Sequence, residues 1–177
     1  MSKKQPKDIR LAGIIEASVA EFVEKGYENA SIDAIAKRAN LSKGGVYHHF
    51  KNKDELFFYT NQKLAEPILG MMQAANQCPA AIEALEFYVK KYVAFWKEHG
   101  PELAFFFLSM SKALVSADLQ ELYKVQTQET ISFFEGLYRK GIARNEFFEH
   151  DTKLSAWMLM SLLDGLIGYL YFLDITA

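Results

Sequence analysis

The chain of 177 residues is half hydrophobic and about a quarter charged, a composition that excludes a disordered or collagen-like protein and suits one or two globular domains. The single cysteine, Cys78, excludes an intramolecular disulfide and a cysteine-based zinc cluster, and it fits a reducing cytoplasm. The net charge of −2 is unevenly distributed, since residues 1–53 carry ten Lys and Arg against six Asp and Glu, whereas residues 54–177 carry ten against sixteen. The basic first segment is therefore a candidate for nucleic-acid binding.

Three short helices are predicted in the first fifty residues. Apolar residues recur at helical spacing up to Phe22, after which Gly26 is a typical helix stop. Ser31 is the predicted N-cap of a second helix, and a turn at 40–42 leads into a very short third helix at 43–49. Two helices joined by a three-residue turn are typical of the helix-turn-helix motif, whose second helix enters the major groove of DNA.

Five further helices are predicted in the rest of the chain. Asn52 is the predicted cap of the fourth helix, and Pro67 lies inside this helix and is expected to kink it. The four helices after it have the predicted ranges 80–98, 102–115, 118–140 and 152–173. Gly141 is expected to end the seventh helix. Because no segment alternates with the period of a strand, the sequence predicts an all-α fold, with a three-helix helix-turn-helix domain at 1–51 and a helical bundle at 52–177.

The last helix is apolar on nearly all sides. Residues 154–173 carry one charge, Asp164, and a stretch of this length is long enough to span a membrane. A charge near the midpoint disfavours a span, so we interpret the helix as a core or subunit-interface helix. We expect a homodimer through the last two helices; the alternative is that these residues only fill the core of one chain. The residues expected at the interface are Leu159, Leu162, Leu163, Leu166 and Tyr169.

The third helix departs from the usual composition of a helix start. Lys43 places a positive charge at the positive end of the helix dipole, with no compensation nearby in the sequence. Gly44 and Gly45 in the first turn each cost about 0.8–1 kcal/mol relative to alanine. A DNA phosphate would compensate, because it pairs with Lys43 and accepts hydrogen bonds from exposed backbone N–H groups. The pattern indicates a DNA-contacting helix, and the alternative is the solvated face of a plain helical hairpin.

A helical projection separates an inner from an outer side of this helix. At about 100° per residue, Val46 and Phe50 share one side, which we assign to the core. The outward side is basic and aromatic and suits base edges and phosphates. It carries Gly44, His48 and Lys51, with Gly45 and Tyr47 on its flanks.

Residues 35–56 closely resemble a known signature. Their sequence, IAKRANLSKGGVYHHFKNKDEL, is similar to that of the TetR (tetracycline-repressor-like) family of transcriptional regulators, and the resemblance extends over about residues 9–56. The similarity is weak in the rest of the chain, apart from two short segments at 141–144 and 163–166 that also resemble the family. The resemblance implies a DNA-binding domain followed by a ligand-binding and dimerisation domain, in a regulator that binds a double-stranded DNA operator and blocks transcription.

The resemblance also assigns roles to individual residues. It implies phosphate contacts by Ser31, Lys43, Tyr47 and Lys53, and contacts to bases or the groove by Gly44, Gly45 and His48. Ser42, as the cap of the third helix, and Lys51 complete the expected DNA-binding set. Because the family often has Thr, Ala or Ser where this chain has Gly45, one base contact of the family is absent here. Lys37 and Arg38 either touch flanking phosphates or face solvent.

The second part of the chain is rich in aromatic and methionine side chains. Twenty-one aromatic residues and five of the six methionines follow Lys53, and such side chains are typical of adaptable ligand pockets. We therefore expect a pocket for a small hydrophobic effector, neutral or cationic, and the alternative is a solid core. The expected lining residues are Ile68, Met71, Met72, Tyr88, Tyr92, Trp96, Phe106, Met110 and Phe134.

Signals for other chemistry are weak. His48 and His49 are adjacent and diverge by about 100° on a helix, so they cannot both bind one metal ion. The sequence contains neither a phosphate-binding glycine-rich loop nor the H-E-x-x-H motif of zinc enzymes. We expect no enzyme activity, no cofactor and no metal, and a location in the cytoplasm, not in a membrane. The main alternative function is a helical small-molecule carrier or sensor without DNA binding, and salt-sensitive DNA affinity separates the two.

Overall fold

The structure is a computed structural model that describes residues 7–173, with side chains from residue 9 onward. Within this part of the chain there are eight helices and no strands, which confirms the predicted all-α fold. The helices are α1 (Lys7–Asn29), α2 (Ile32–Arg38), α3 (Lys43–Tyr47), α4 (Lys53–Ala75), α5 (Ala81–Glu98), α6 (Gly100–Ala113), α7 (Ala117–Ala143) and α8 (Thr152–Phe172).

The predicted helix stop in α1 and the predicted N-cap of α4 are confirmed. Gly26 has φ 71° and ψ 163° inside α1, so the regular helix is interrupted at the predicted stop by the one residue type that adopts this conformation at little cost. At the start of α4, the Asn52 side chain accepts a hydrogen bond from the Glu55 N–H at 2.8 Å. The Glu55 carboxylate in turn accepts from the Lys51 N–H at 2.6 Å, one residue before the cap, so the arrangement resembles a capping box displaced by one residue. Pro67 lies inside α4.

Two of the boundaries that differ from the prediction have a clear physical reason. α6 begins at Gly100, two residues early, with Pro101 in its first turn, where a missing N–H breaks no helical hydrogen bond. The prediction that Gly141 ends α7 is wrong, because the helix continues for two more residues. Gly141 is buried beneath the ring of Phe147, and a Cβ at Gly141 would overlap that ring. Glycine is therefore needed here for packing, and the left-handed residue after the helix is Asn145, with φ 57°.

The chain divides into two compact units. The first unit comprises the described residues up to Ala65 together with Pro101–Lys112. Its core contains three buried aromatic rings, those of Phe22, Phe57 and Phe105. The ring centroids lie 4.9–6.0 Å apart, and α1, α4 and α6 supply one ring each. The compact division thus falls inside α4, later than the predicted functional boundary after residue 51, because both α4 and α6 contribute to this core.

The second unit comprises Glu66–Gly100 and the described residues from Ala113 onward. Within it α5, α7 and α8 pack against one another. Tyr88, Phe134 and Ile167, one from each of these helices, are fully buried. The second unit is therefore a helical bundle with an aromatic core.

The N-terminus of α5 is capped by Glu146, a loop residue that lies far away in the sequence. The residue before α5 is an alanine with no capping side chain, and instead the Glu146 carboxylate accepts hydrogen bonds from the first two N–H groups of α5 at 2.6 and 3.1 Å. A carboxylate at a helix N-terminus also suits the helix dipole. Nearby, the Lys140 ammonium donates to the carbonyl oxygen of Cys78 at 3.2 Å. These contacts fasten the α4–α5 connection to the end of α7.

Candidate nucleic-acid interface

α2 and α3 form the predicted helix-turn-helix, with one side buried and the other exposed. Val46 and Phe50 are buried, as the helical projection predicts. The opposite side, which we name the recognition face, consists of Lys43, Gly44, Tyr47, His48 and Lys51, all exposed. The first unit therefore presents a short basic and aromatic helix to solvent.

Two exposed serines cap the helices of this motif. The Ser31 Oγ accepts a hydrogen bond from the Ala34 N–H at 3.2 Å, and the Ser42 Oγ accepts from the Gly45 N–H at 3.1 Å. Both predicted caps are confirmed. Capping uses only an acceptor lone pair, so each hydroxyl keeps its proton as a donor for a further partner such as a phosphate oxygen.

The ammonium of Lys43 has a partner in the structure. It forms an ion pair with the Asp33 carboxylate at 2.8 Å, and it lies 5.8 Å from the centroid of the Tyr47 ring. The hydrogen bond with Asp33 raises the pKa of Lys43, so the lysine is held in its charged form. The prediction that nothing local compensates this cation is wrong, because Asp33 in the first turn of α2 does so. Lys43 nevertheless stays accessible, with 58% of its side chain exposed.

The two glycines of α3 are not required by the protein's own packing. Neither has a positive φ, because among the described residues Gly26 is the only glycine with a positive φ. A Cβ at Gly44 would meet no atom within 4 Å, and a Cβ at Gly45 would lie 3.4 Å from the Ser42 Oγ, an ordinary contact. The missing side chain at Gly44 therefore leaves the backbone of α3 open to close approach by a partner.

The ammonium of Lys53 is hydrogen-bonded to the protein's own backbone. Its ammonium donates to the carbonyl oxygens of Tyr27, Glu28 and Ala30 at 2.7, 3.0 and 3.0 Å, and it lies 4.5 Å from the centroid of the Tyr27 ring. The Tyr27 hydroxyl donates to the Asp54 carboxylate, and burial together with this hydrogen bond raises the pKa of Tyr27. Lys53 thus joins the last turn of α1 to the start of α4, and its phosphate contact stays a prediction.

Arg38 also has a structural role. Its guanidinium donates to the carboxylate of Glu21 at 2.9 Å and to both oxygens of Glu24. Glu21 is 4% exposed, so Arg38 neutralises a buried charge, and the hydrogen bond from Arg38 lowers the pKa of Glu24. Arg38, which was expected either at a flanking phosphate or facing solvent, holds α2 against α1 in the structure.

Four of the expected effector-lining residues lie together in the second unit. The rings of Tyr88 and Tyr92 are stacked with centroids 5.7 Å apart. The Tyr92 ring lies 6.1 Å from that of Trp96, and the Tyr88 ring lies 5.1 Å from that of Phe134. All four side chains are buried. They form one aromatic cluster on α5 and α7.

The remaining expected lining residues are distributed differently. Met72 is buried and Ile68 and Met71 are half-buried, all three in the part of α4 that belongs to the second unit. Phe106 and Met110 lie on α6 and belong to the first unit. Met110 is 44% exposed. The predicted lining is thus divided between the two units.

Asp164 is a candidate residue that the sequence analysis missed. Its carboxylate accepts a hydrogen bond from the Tyr92 hydroxyl at 3.1 Å, which connects α8 to α5. Burial raises the pKa of Asp164, and the hydrogen bond from Tyr92 acts in the opposite direction. Burial and this carboxylate raise the pKa values of Tyr88 and Tyr92. Two signals were available: Asp164 is a lone charge in an apolar helix, which served above as an argument against a membrane span, and it lies in the segment 163–166 that resembles the family.

One side of α8 is apolar and exposed. Leu162 and Tyr169 are 67% and 68% exposed, Leu166 is 39% exposed and Leu159 is half-buried. These four are among the residues expected at a dimer interface. Five further exposed apolar residues on this helix were not among those expected at the interface, namely Leu154, Trp157, Met158, Tyr171 and Phe172.

Leu163 lies on the other side of α8, so its expected place at an interface is corrected. It is 4% exposed and shares the buried side with Ala156 and Ile167, seven residues before it and four after it. Among the described helices, Thr152–Phe172 alone is long and apolar enough to cross a membrane, with a mean hydropathy of 1.3. Only 22% of an 18-residue apolar stretch of this helix is buried, so a single chain leaves most of the helix uncovered.

Two family models match the chain. The model described as bacterial regulatory proteins of the tetR family matches residues 14–60, which include the recognition face. The model described as the C-terminal region of QacR-like proteins matches residues 73–177. Together they leave only the first thirteen residues and a short stretch of α4 unmatched, and the second match alone covers more than half of the chain.

Relatives and solved structures agree with these matches. The HTH-type transcriptional regulator YhgD of Bacillus subtilis is 27% identical over 160 residues, which cover 87% of this chain and 80% of the relative. A TetR transcription regulator from Haloarcula marismortui has a TM-score of 0.85 at 17% identity, over 96% of this chain and 89% of that one. The FadR regulator of Bacillus subtilis in complex with stearoyl-CoA has a TM-score of 0.76 at 22% identity, over 94% and 89%. The two structural matches establish the fold.

Proposed function

The chain belongs to the TetR family of bacterial regulatory proteins, and on this premise we propose that it is a ligand-responsive cytoplasmic repressor that binds a palindromic DNA operator as a homodimer. The observation that carries the proposal is the recognition face, where buried Val46 and Phe50 hold a helix that exposes Lys43, Tyr47 and His48. Cations on such a helix contact phosphates, and polar side chains reach base edges in the major groove. The other residues of the proposed DNA-binding set are Ser31, Ser42, Gly44, Gly45, Lys51 and Lys53.

Two substitutions on the recognition face separate the two kinds of DNA contact. Lys43→Ala removes a phosphate contact, so we expect binding about tenfold weaker to every duplex, and a dependence of log K on log salt that is shallower by about one. His48→Ala removes a base contact, so we expect a changed ranking among sites. Fluorescence anisotropy on duplexes recovered by selection from random DNA measures both effects.

Lys97→Ala is the matched control, because Lys97 is an exposed lysine in the last turn of α5 and its removal changes the net charge equally. Unchanged DNA binding by both Lys43→Ala and His48→Ala would show that the recognition helix is assigned wrongly. A wild-type protein without salt-sensitive affinity for any duplex would favour the helical carrier or sensor that binds no DNA.

The exposed apolar side of α8 supports the homodimer. Leu162 and Tyr169 are each about two-thirds exposed in a single chain, and contiguous apolar patches mark interfaces. A second copy related by two-fold symmetry would cover this side of α8 with the same side of its own helix. Two-fold symmetry also provides two recognition faces for two half-sites, which lie ~34–36 Å apart in successive major grooves.

The oligomeric state tests this part of the proposal. Leu162→Glu places a charge in the centre of the apolar side, so we expect a monomer by sedimentation velocity at micromolar concentration, where the wild type is a dimer. Leu114→Glu is the matched control, since Leu114 is a leucine with 78% exposure outside α8. A monomeric wild type, or a dimer that survives Leu162→Glu, would contradict the proposed interface.

The aromatic cluster supports an effector site in the second unit. Its rings, with Ile68, Met71 and Met72 of α4, are the apolar and polarisable groups that bind hydrophobic ligands. In this proposal an effector bound there favours the protein state that does not bind DNA. Effector and operator then weaken each other's binding by the same factor.

Stearoyl-CoA is the first probe for this site, because the similar FadR structure contains it. A long-chain alcohol and a long-chain quaternary ammonium compound extend the test to neutral and cationic amphiphiles. We expect at least one probe to raise the melting temperature of the protein and to weaken its operator affinity in an anisotropy titration. A probe that stabilises the protein and leaves operator affinity unchanged would argue against the switch.

A further inference from the structure

Lys43 forms an ion pair with Asp33, and no other cation of the recognition face forms an ion pair among the described residues. Both oxygens of the Asp33 carboxylate contact its ammonium, at 2.8 and 3.0 Å. The pair lies at the surface, with 58% of the Lys43 side chain and 61% of the Asp33 side chain exposed. It therefore occupies the same solvent-facing space that a DNA backbone would enter to reach Lys43.

The carboxylate of Asp33 does not cap α2. The N-cap of α2 is Ser31, whose Oγ accepts from the Ala34 N–H, so Asp33 is not the capping residue. Among the described residues, the Asp33 carboxylate contacts one partner, which is Lys43. An acid in the first turn interacts favourably with the helix dipole, but at this exposure the effect is small and is screened by salt.

A phosphate that binds Lys43 must approach Asp33. Each oxygen bound to an ammonium lies about 2.8 Å from the nitrogen, so a phosphate oxygen and a carboxylate oxygen on the same ammonium are at most about 6 Å apart. Both groups are negative, and they compete for the same donors and repel each other. The approach of DNA therefore either breaks the Asp33–Lys43 pair or is opposed by it.

We propose that Asp33 sets the DNA affinity of this protein, because it competes with the DNA backbone for Lys43 and keeps affinity below the value that the recognition face alone would give. The inference rests on the proposed DNA-binding function and on the phosphate contact of Lys43. A phosphate contact carries no base information, so Asp33 lowers affinity for all DNA to the same extent and leaves the ranking of sites unchanged.

Neutralisation of Asp33 tests the inference. Asp33→Asn keeps the size of the side chain and removes its charge, so we expect binding about two- to fivefold tighter, the range that an exposed ion pair supports, to a selected duplex and to a non-specific duplex alike. The salt dependence of binding should become steeper, since Lys43 then neutralises a phosphate without an opposing charge. Asp33→Ser, which also lacks the charge, should give the same gain if Asp33→Asn folds poorly.

Two controls separate competition for Lys43 from a general loss of negative charge. Asp118→Asn neutralises an exposed acid in the first turn of α7 and should leave DNA affinity unchanged. In a Lys43→Ala background, Asp33→Asn should gain markedly less than in the wild-type background. A gain of equal size in both backgrounds would overturn the competition.

Other outcomes also decide the matter. Unchanged or weaker binding by Asp33→Asn and Asp33→Ser would show that Asp33 is neutral or orients Lys43 for DNA, and would overturn the inference while the proposed function stands. A wild-type protein with no measurable affinity for DNA would overturn both.

Discussion

Gly44→Ala distinguishes a glycine kept for function from one kept for structure. In the free protein a Cβ at this position meets no atom within 4 Å, and the backbone lies in the helical region. Alanine is favoured over glycine by about 0.8–1 kcal/mol in a helix interior, and we expect about half of this in the first turn of a five-residue helix. A gain of about 0.5 kcal/mol corresponds to a melting temperature higher by about 1–2 °C for a chain of this length.

The same methyl group should weaken DNA binding. Gly44 lies on the recognition face, and a Cβ there would occupy space between the α3 backbone and the DNA. A displaced contact of this kind costs about 1–3 kcal/mol, so we expect at least about fivefold weaker binding to the selected operator. Stability is measured by thermal unfolding followed by circular dichroism, and binding by anisotropy on the same preparations.

Gly70→Ala is the matched control for this experiment. Gly70 is also exposed in a helix, α4, and a Cβ there meets nothing within 4 Å. It should raise stability without an effect on DNA affinity. The reasoning would be refuted if Gly44→Ala left operator affinity unchanged, or if it lowered stability, since the second result would mean that the protein itself needs glycine there.

Three further substitutions test contacts that lie inside one unit or the other. Arg38→Ala leaves the buried Glu21 carboxylate without its cation, so urea unfolding should show a free energy of unfolding lower by about 1–3 kcal/mol, and an unchanged value would mean that the ion pair contributes nothing. Glu146→Ala removes the acceptor for two N–H groups of α5 and should cost about 1 kcal/mol in the same assay, whereas no loss would show that water replaces it. Because burial raises the pKa of Asp164 above its ordinary 3.8, the folded state holds this proton more tightly than the unfolded state. The contribution of Asp164 to stability should therefore fall as pH rises above about 4. From pH 3.5 to 7 the melting temperature of the wild type should change less favourably than that of Asp164→Asn, and the same pH dependence in both proteins would contradict this.

Local signals in the sequence predicted much of the helix-turn-helix correctly. Ser31 and Asn52 cap their helices through N–H groups only three residues away, so the sequence alone contains the relevant information. The buried positions of Val46 and Phe50 follow from the helical period. Such features depend on residue spacing within one helix, and the resemblance to the TetR family covers the same segment.

Contacts between distant segments were not predictable in the same way. Lys53 binds carbonyl oxygens 23–26 residues earlier in the chain, and Glu146 caps a helix that begins 65 residues before it. Leu163 was expected at an interface because α8 is apolar nearly all round, and periodicity cannot show which of two apolar sides faces the core. The partner of Lys43 was missed for a related reason, since Asp33 lies ten residues away on another helix.

Hydroxyl-radical footprinting of the wild-type protein on a duplex recovered by selection tests the central claim most directly, because it shows both DNA binding and two-fold symmetry. The account predicts two equivalent protected regions, related by a two-fold axis and centred about one helical turn apart, at protein concentrations where sedimentation shows a dimer. Lys43→Ala should lose both regions together as salt is raised. A single unsymmetrical region, or no protection above that of the Lys43→Ala variant, would contradict the account.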